Sequence, residues 1–195
     1  MYKKIFTLSV IAIAGAVVFV ACSNAPGNSK AITPVLDSAA LVARGEYLVN
    51  TTGCDDCHSP KKMGPNGPEL ISGLRFSGFQ HGNTLPKVNV DEIKKGFTMF
   101  APDFTATVGV WGVSYAANIT SDATGIGNWT EENFLRAIRH GKLKGIENSR
   151  PLLPPMPWTV YRNMTDTDLR AIFAYLKTTQ PVENVVPGPK ALSEL

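Results

Sequence analysis

Cys54 and Cys57 flank Asp55 and Asp56, and His58 follows at once; the chain has three cysteines and three histidines in all. Two thiols and an imidazole in the order C-x-x-C-H are what covalent c-type haem attachment requires. The thiols add across the two vinyl groups of the porphyrin, giving thioethers on one ring edge. Two intervening residues let one tight turn reach both vinyls. The next residue then lies under the ring, where His58 offers a nitrogen to iron. A zinc site would use the same thiols but needs two further ligands, and His81 and His140 sit in no recognisable ligand pair. A thioredoxin-like pair would want C-x-x-C beside a strand–helix unit, whereas here it follows a helix-like segment and precedes a Gly/Pro loop. A disulfide across two residues would constrain almost nothing. The motif occurs once, so one covalent haem is expected.

Iron in an electron carrier is commonly held between His and Met or between two His. Met63 lies five residues past His58 and stays on the proximal side. Met99 stands beside Phe97 and Phe100 and reads as core, and Met164 precedes a helix cap and can pack on Leu169. Met156 sits in Leu152-Leu153-Pro154-Pro155-Met156-Pro157-Trp158. Prolines fix φ and remove amide donors, so this loop is stiff and joins neither a helix nor a central strand. That suits a weak thioether ligand, and Met156 is the expected distal ligand. A buried Met in a Pro-rich loop, or His81 or His140 as ligand, is the alternative. Trp129 is a candidate propionate contact, set against plain core packing; Tyr115, Asn118 and Arg139 are weaker ones.

Positioning these groups requires helices. Asp37 or Ser38 caps a first helix over residues 38–50, with Gly45 allowing close approach by another helix. Residues 131–140 form a second, capped by Thr130 with Trp129 and Phe134 as staple, and ended by Gly141. Residues 166–178 form the last strong helix, with Leu169, Ile172, Phe173 and Leu176 on one face. This helix and the first should cross near Gly45. A short helix over 90–95 is capped by Asn89 and stopped by Gly96. Residues 59–90 read as a long loop region. Residues 97–118 alternate aromatic, Val, Thr and Gly, consistent with a small β-hairpin over the haem region. Residues 180–195 are Pro-rich and read as loosely packed.

The N-terminal end is a targeting segment. Lys3 and Lys4 precede an uncharged apolar stretch, Ile5 to Val20, and then Phe19-Val20-Ala21-Cys22. This step is similar to a bacterial lipobox, which implies a lipoprotein-type signal over 1–21, a lipid on Cys22, and a flexible tether over 22–36. An ordinary signal peptide releasing a soluble protein is the alternative. The protein is thus expected to be exported to the periplasmic side and held at a bacterial membrane by lipidated Cys22. Cleavage takes Lys3 and Lys4 from the 19 basic residues and nothing from the 16 acidic ones, so the net charge falls from +3 to +1. Nothing in this mixed charge pattern argues for nucleic acid.

The stretches ARGEYLVNTTGCDDCHSPKKMGPNGP, NITSDATGIGNWTEENFLRAIRHGK and LPPMPWTVYRNMTDTDLRAIFAYLKTTQPVENVVP together resemble class I cytochrome c, across roughly residues 38–187. They are similar to the cytochrome domains that serve periplasmic alcohol and sugar dehydrogenases. The resemblance implies an all-α fold wrapped around one covalent haem, with long loops, in a domain over 37–187 followed by a tail at 188–195. It implies His58 proximal, Met156 distal and Gly45 at a helix crossing. Together with the lipid expected on Cys22, the reading is a membrane-tethered carrier passing single electrons between respiratory or dehydrogenase partners, rather than an enzyme. A peroxidase-like oxidoreductase would need an open iron position, which Met156 fills. A gas or redox sensor would couple displacement of Met156 to an output domain.

Overall fold

The computed structural model describes residues 37–195. The expected signal segment, the tether and Cys22 lie outside the described residues. Among the described residues, no helix is long and apolar enough to cross a membrane.

The fold is built on two crossing helices from opposite ends of the chain. Helix α1, Ser38–Thr51, starts where the Asp37 carboxylate accepts the Ala40 N–H at 2.8 Å. An acidic N-cap of this kind satisfies a donor that the helix itself leaves unpaired. Helix α6, Asp166–Leu176, begins at Thr165, whose hydroxyl accepts the Asp168 N–H at 3.1 Å. The two meet at Gly45, where a Cβ would overlap the Ala171 carbonyl and the Tyr175 side chain. Their buried residues, Leu48 and Val49 from α1 and Leu169, Ile172 and Leu176 from α6, share one core cluster with Phe76 and Ile126. Helix α4, Glu131–His140, completes it with Phe134 and Ile138. A reciprocal Thr130–Asn133 capping box starts this helix, and Gly141, at φ 61°, ends it in the left-handed conformation. Helices α2, Cys54–His58, α3, Val90–Lys94, and α5, Trp158–Tyr161, are single turns between these.

The all-α expectation needs correction, because five short strands accompany the helices. Strands β1, Lys61–Gly64, and β2, Gly67–Leu70, form a hairpin inside the expected loop region. Their sequences, KKMG and GPEL, have neither β-branched residues nor alternation, so propensity gave no strand signal. The region expected to hold one hairpin forms a three-stranded antiparallel sheet. Strand β3, Met99–Phe100, pairs with β4, Ala106–Gly109, which pairs with β5, Gly112–Tyr115. Val108 and Val113 pair across β4 and β5 and pack with Ile93 of α3 in a second small core.

The C-terminal stretch is also more firmly held than its prolines suggested. Asn184 is buried, its amide donating to the Ser77 and Phe79 carbonyls at 2.7 and 2.9 Å. Lys190 bridges to Val113 of β5, accepting its N–H at 2.8 Å. Prolines at 181, 187 and 189 forbid helix, but an extended strap can still satisfy its backbone against a neighbouring edge.

Candidate functional site: a thiol, imidazole and thioether cleft

Helix α2 carries both thiols and the imidazole on one turn. Gly53 makes the turn into it at φ 77°, a conformation glycine adopts without steric cost. The end of the turn is held by one cation: the Lys61 ammonium donates to the carbonyls of Asp55, Asp56 and Ser59 at 2.8, 2.8 and 2.9 Å. A lysine at a helix C-terminus satisfies carbonyls that lack intrahelical partners. The Asp55 carboxylate is gripped in turn. It accepts from Arg75 at 2.6 Å and from the Ser59 hydroxyl at 2.6 Å, and that hydroxyl accepts the buried Phe76 N–H at 2.9 Å. Arg75 also reaches Asn50 of α1 and the Tyr175 hydroxyl of α6, so the turn is tied to both crossing helices.

His58 donates its Nδ1–H to the Ala117 carbonyl at 2.7 Å. This contact fixes the ring orientation and leaves Nε2 with its lone pair, the nitrogen a metal would take. His58, Cys54 and Cys57 line one cleft together with Leu153, Pro154, Pro155, Met156 and Pro157. Thr107, Ser114 and Tyr115 of the three-stranded sheet and Tyr161 close its ends. A wholly apolar lobe continues behind Cys54 and Met156, between Phe134 and Ile138 of α4 and Leu169, Ile172 and Leu176 of α6. The Tyr161 hydroxyl spans the cleft and donates to the Thr52 carbonyl at 2.6 Å.

Burial sets the protonation states. It pushes the Cys54 thiol up, and the Cys57 thiol up with help from Asp56. It pushes the His58 imidazole down against the opposing Ala117 hydrogen bond. Both directions favour protonated thiols and an uncharged imidazole, the form of imidazole that ligates a metal. Burial also opposes ionisation of Asp55, but Arg75, Ser59 and Lys61 outweigh it and hold this carboxyl below its usual range. Tyr161 is pushed up to about 12 by burial, with Cys54, Cys57 and Asp56 adding to the shift.

Cys54, Cys57, His58 and Met156 therefore line one cleft. The two cysteines are unbridged, and among the described residues no three His, Cys, Asp or Glu side chains converge as metal ligands. That leaves a zinc site short of donors. Two free thiols, an imidazole nitrogen and a thioether lining one cleft beside an apolar interior fit a covalently held haem. Met63 is 73% exposed on β1 and Met99 packs against the second core. Met164 borders only the apolar lobe. Trp129 lies outside the lining and packs against the main core. Of the weaker propionate candidates, Tyr115 lines the cleft, whereas Asn118 donates to Thr124 and to the Val182 carbonyl, and Arg139 binds Asp166. Sequence reasoning missed Lys61, Arg75, Ser114 and Tyr161. Each acts through a partner distant in the chain or through a backbone carbonyl, and neither leaves a spacing signal.

Residues 42–180 match the Cytochrome c family. The chain belongs to that family, as a class I c-type cytochrome, and membership implies covalently bound haem c. It is 29% identical to the fructose dehydrogenase cytochrome subunit of Gluconobacter japonicus, covering 89% of this chain and 28% of that protein. It is 34% identical to the gluconate 2-dehydrogenase cytochrome c subunit of Pantoea cypripedii, covering 70% and 22%. It is 31% identical to the cytochrome c subunit of the quinone alcohol dehydrogenase of Gluconacetobacter polyoxogenes, covering 76% and 24%. The chain thus spans between 22% and 28% of the length of these relatives.

Proposed function

We propose that this protein is a monohaem electron carrier, with Cys54 and Cys57 as the attachment sites and His58 and Met156 as the axial ligands. The single observation that carries the reading is that the thiols and imidazole of one turn line one cleft with Met156, which is distant in sequence. Haem c supplies a one-electron ferric–ferrous couple. The chain's own groups do the rest: His58 presents Nε2, the Pro-rich loop holds the Met156 sulfur, and the apolar lobe excludes water. A soft thioether favours the reduced metal more than a second imidazole would, so the potential should be fairly high. With both axial positions filled from the chain, the protein carries electrons and makes no bonds. Its partner is a dehydrogenase catalytic subunit, since relatives bear the names of dehydrogenase cytochrome subunits. Its place is the periplasmic face of a membrane, held by lipid on Cys22, and fatty-acid release from the mature N-terminus tests that. Trp129 packs against the main core outside the cleft lining, so core packing rather than a propionate contact is its proposed role.

Optical redox titration of the wild type and of Met156→Ala tests the ligation. The variant should lose the six-coordinate low-spin oxidised spectrum, and its midpoint potential should fall sharply. An oxidised spectrum identical to the wild type would exclude Met156. Haem staining that survives denaturation, and is lost in a Cys54→Ser, Cys57→Ser double variant, tests attachment.

A further inference from the structure

One extended segment touches the supports of both proposed axial ligands. The Ser114 hydroxyl of β5 donates to the Pro154 carbonyl at 2.5 Å, two residues before Met156. Three residues further on, the Ala117 carbonyl accepts the His58 Nδ1–H at 2.7 Å. Ser114 is 9% exposed. Its oxygen also receives the Trp111 indole N–H at a long 3.4 Å, and the Thr107 carbonyl lies equally far, so the Pro154 carbonyl is much the nearer acceptor for its one proton. The segment cannot slide. Strand β4 pairs with it on one side, with Thr107 opposite Ser114, and Lys190 of the C-terminal strap pairs with Val113 on the other. The Ala116 N–H donates to the Thr105 carbonyl at 2.8 Å, and its own carbonyl accepts the Phe79 N–H at 3.0 Å.

A loop with three prolines has few amide donors with which to anchor itself. Within it, the Met156 N–H reaches only the Leu153 carbonyl, at 3.3 Å. The bond from Ser114 is therefore an anchor the loop cannot supply for itself. The bond is part-buried, with Ser114 buried and Pro154 exposed, so without the hydroxyl the carbonyl turns to water and the loop loses its tie to the sheet. We infer that Ser114 is a positioning residue for the distal ligand, and that the three-stranded sheet is a yoke fixing the Met156 loop relative to His58. This rests on the reading of Met156 as ligand. It assigns a role to residues 97–118: they set how firmly the thioether is held, and through that the affinity of the site for competing ligands and its potential.

The test uses the holoprotein. Imidazole is titrated into the oxidised wild type, Ser114→Ala, Ser114→Thr and Met156→Ala, and midpoint potentials are measured in parallel. Ser114→Ala should reach half-saturation at about fivefold lower imidazole than the wild type, the size expected for the net loss of one hydrogen bond. Its potential should fall towards that of Met156→Ala. Ser114→Thr, which keeps the hydroxyl, should restore both quantities. If Met156→Ala leaves spectrum and imidazole affinity unchanged, methionine is not the ligand and both readings fall. If Met156→Ala changes them and Ser114→Ala matches the wild type, only the positioning role is overturned. Should Ser114→Ala not yield holoprotein, Trp111→Phe serves instead. It should shift imidazole affinity in the same direction by less, and a wild-type value would overturn the yoke.

Discussion

Asp55 shows how much work falls on a residue of the C-x-x-C-H turn that is neither a thiol nor the imidazole. Its carboxylate joins Arg75 and Ser59, and through Arg75 it joins α1 and α6. A group held below its usual pKa stabilises the fold fully above the unfolded carboxyl value of about 4, and that contribution is lost as pH falls through the folded value. Replacing it removes an acid-labile contribution. Asp55→Asn should therefore be less stable than the wild type at neutral pH, and the gap should narrow as the solution is acidified from about pH 5. Thermal midpoints of the two holoproteins measured across that range check this; a gap that stays constant would mean the ion pair contributes nothing beyond packing. Arg75 should show the same dependence when replaced by Met, because it is the other half of the pair.

Among the elements, the two-helix crossing is the feature with least tolerance. Gly45 faces backbone atoms of Ala171, not the movable end of a side chain. Gly45→Ala should thus cost on the order of 3 kcal/mol, at the upper end for overpacking, since the helices must separate to admit a methyl group. Its measure is the denaturant midpoint of the holoprotein; a loss below about 0.5 kcal/mol would show that the crossing can slide, as exposed substitutions behave. Crossing, caps and helix ends were legible in the sequence because each is written locally: Asp37, Thr130 and Thr165 as caps, Gly141 as stop, Gly45 as the small residue in an apolar face. The C-x-x-C-H turn and the Pro-flanked Met156 were legible for the same reason. Hidden were the hairpin of Lys61–Gly64 and Gly67–Leu70, the strap through Lys190, and the grips of Arg75 on Asp55 and Ser114 on Pro154. Those depend on which distant segments meet, and neither propensity nor spacing encodes that.

On the scale of the whole molecule, charge is balanced. Lys3, Lys4 and Lys30 fall outside the described residues, so 16 of the 19 basic residues face all 16 acidic ones and the described part is neutral. Steering by net charge is then weak. Second-order rates of electron exchange with a small neutral redox partner should change less than about twofold between 10 mM and 150 mM salt, a range over which surface charges become screened. Stopped-flow measurement across that range checks it, and a tenfold fall would reveal a charged docking patch that the balanced total conceals.

Both thiols and the imidazole lie within the six residues Gly53 to His58, and beyond the neighbouring Ser59 and Lys61 the groups that hold this turn sit at positions 75 and 117. A chain still unfolded can consequently display the whole attachment turn before any tertiary contact exists. Stapling can come first, and the distant half of the polypeptide then closes over a bulky apolar nucleus already in place.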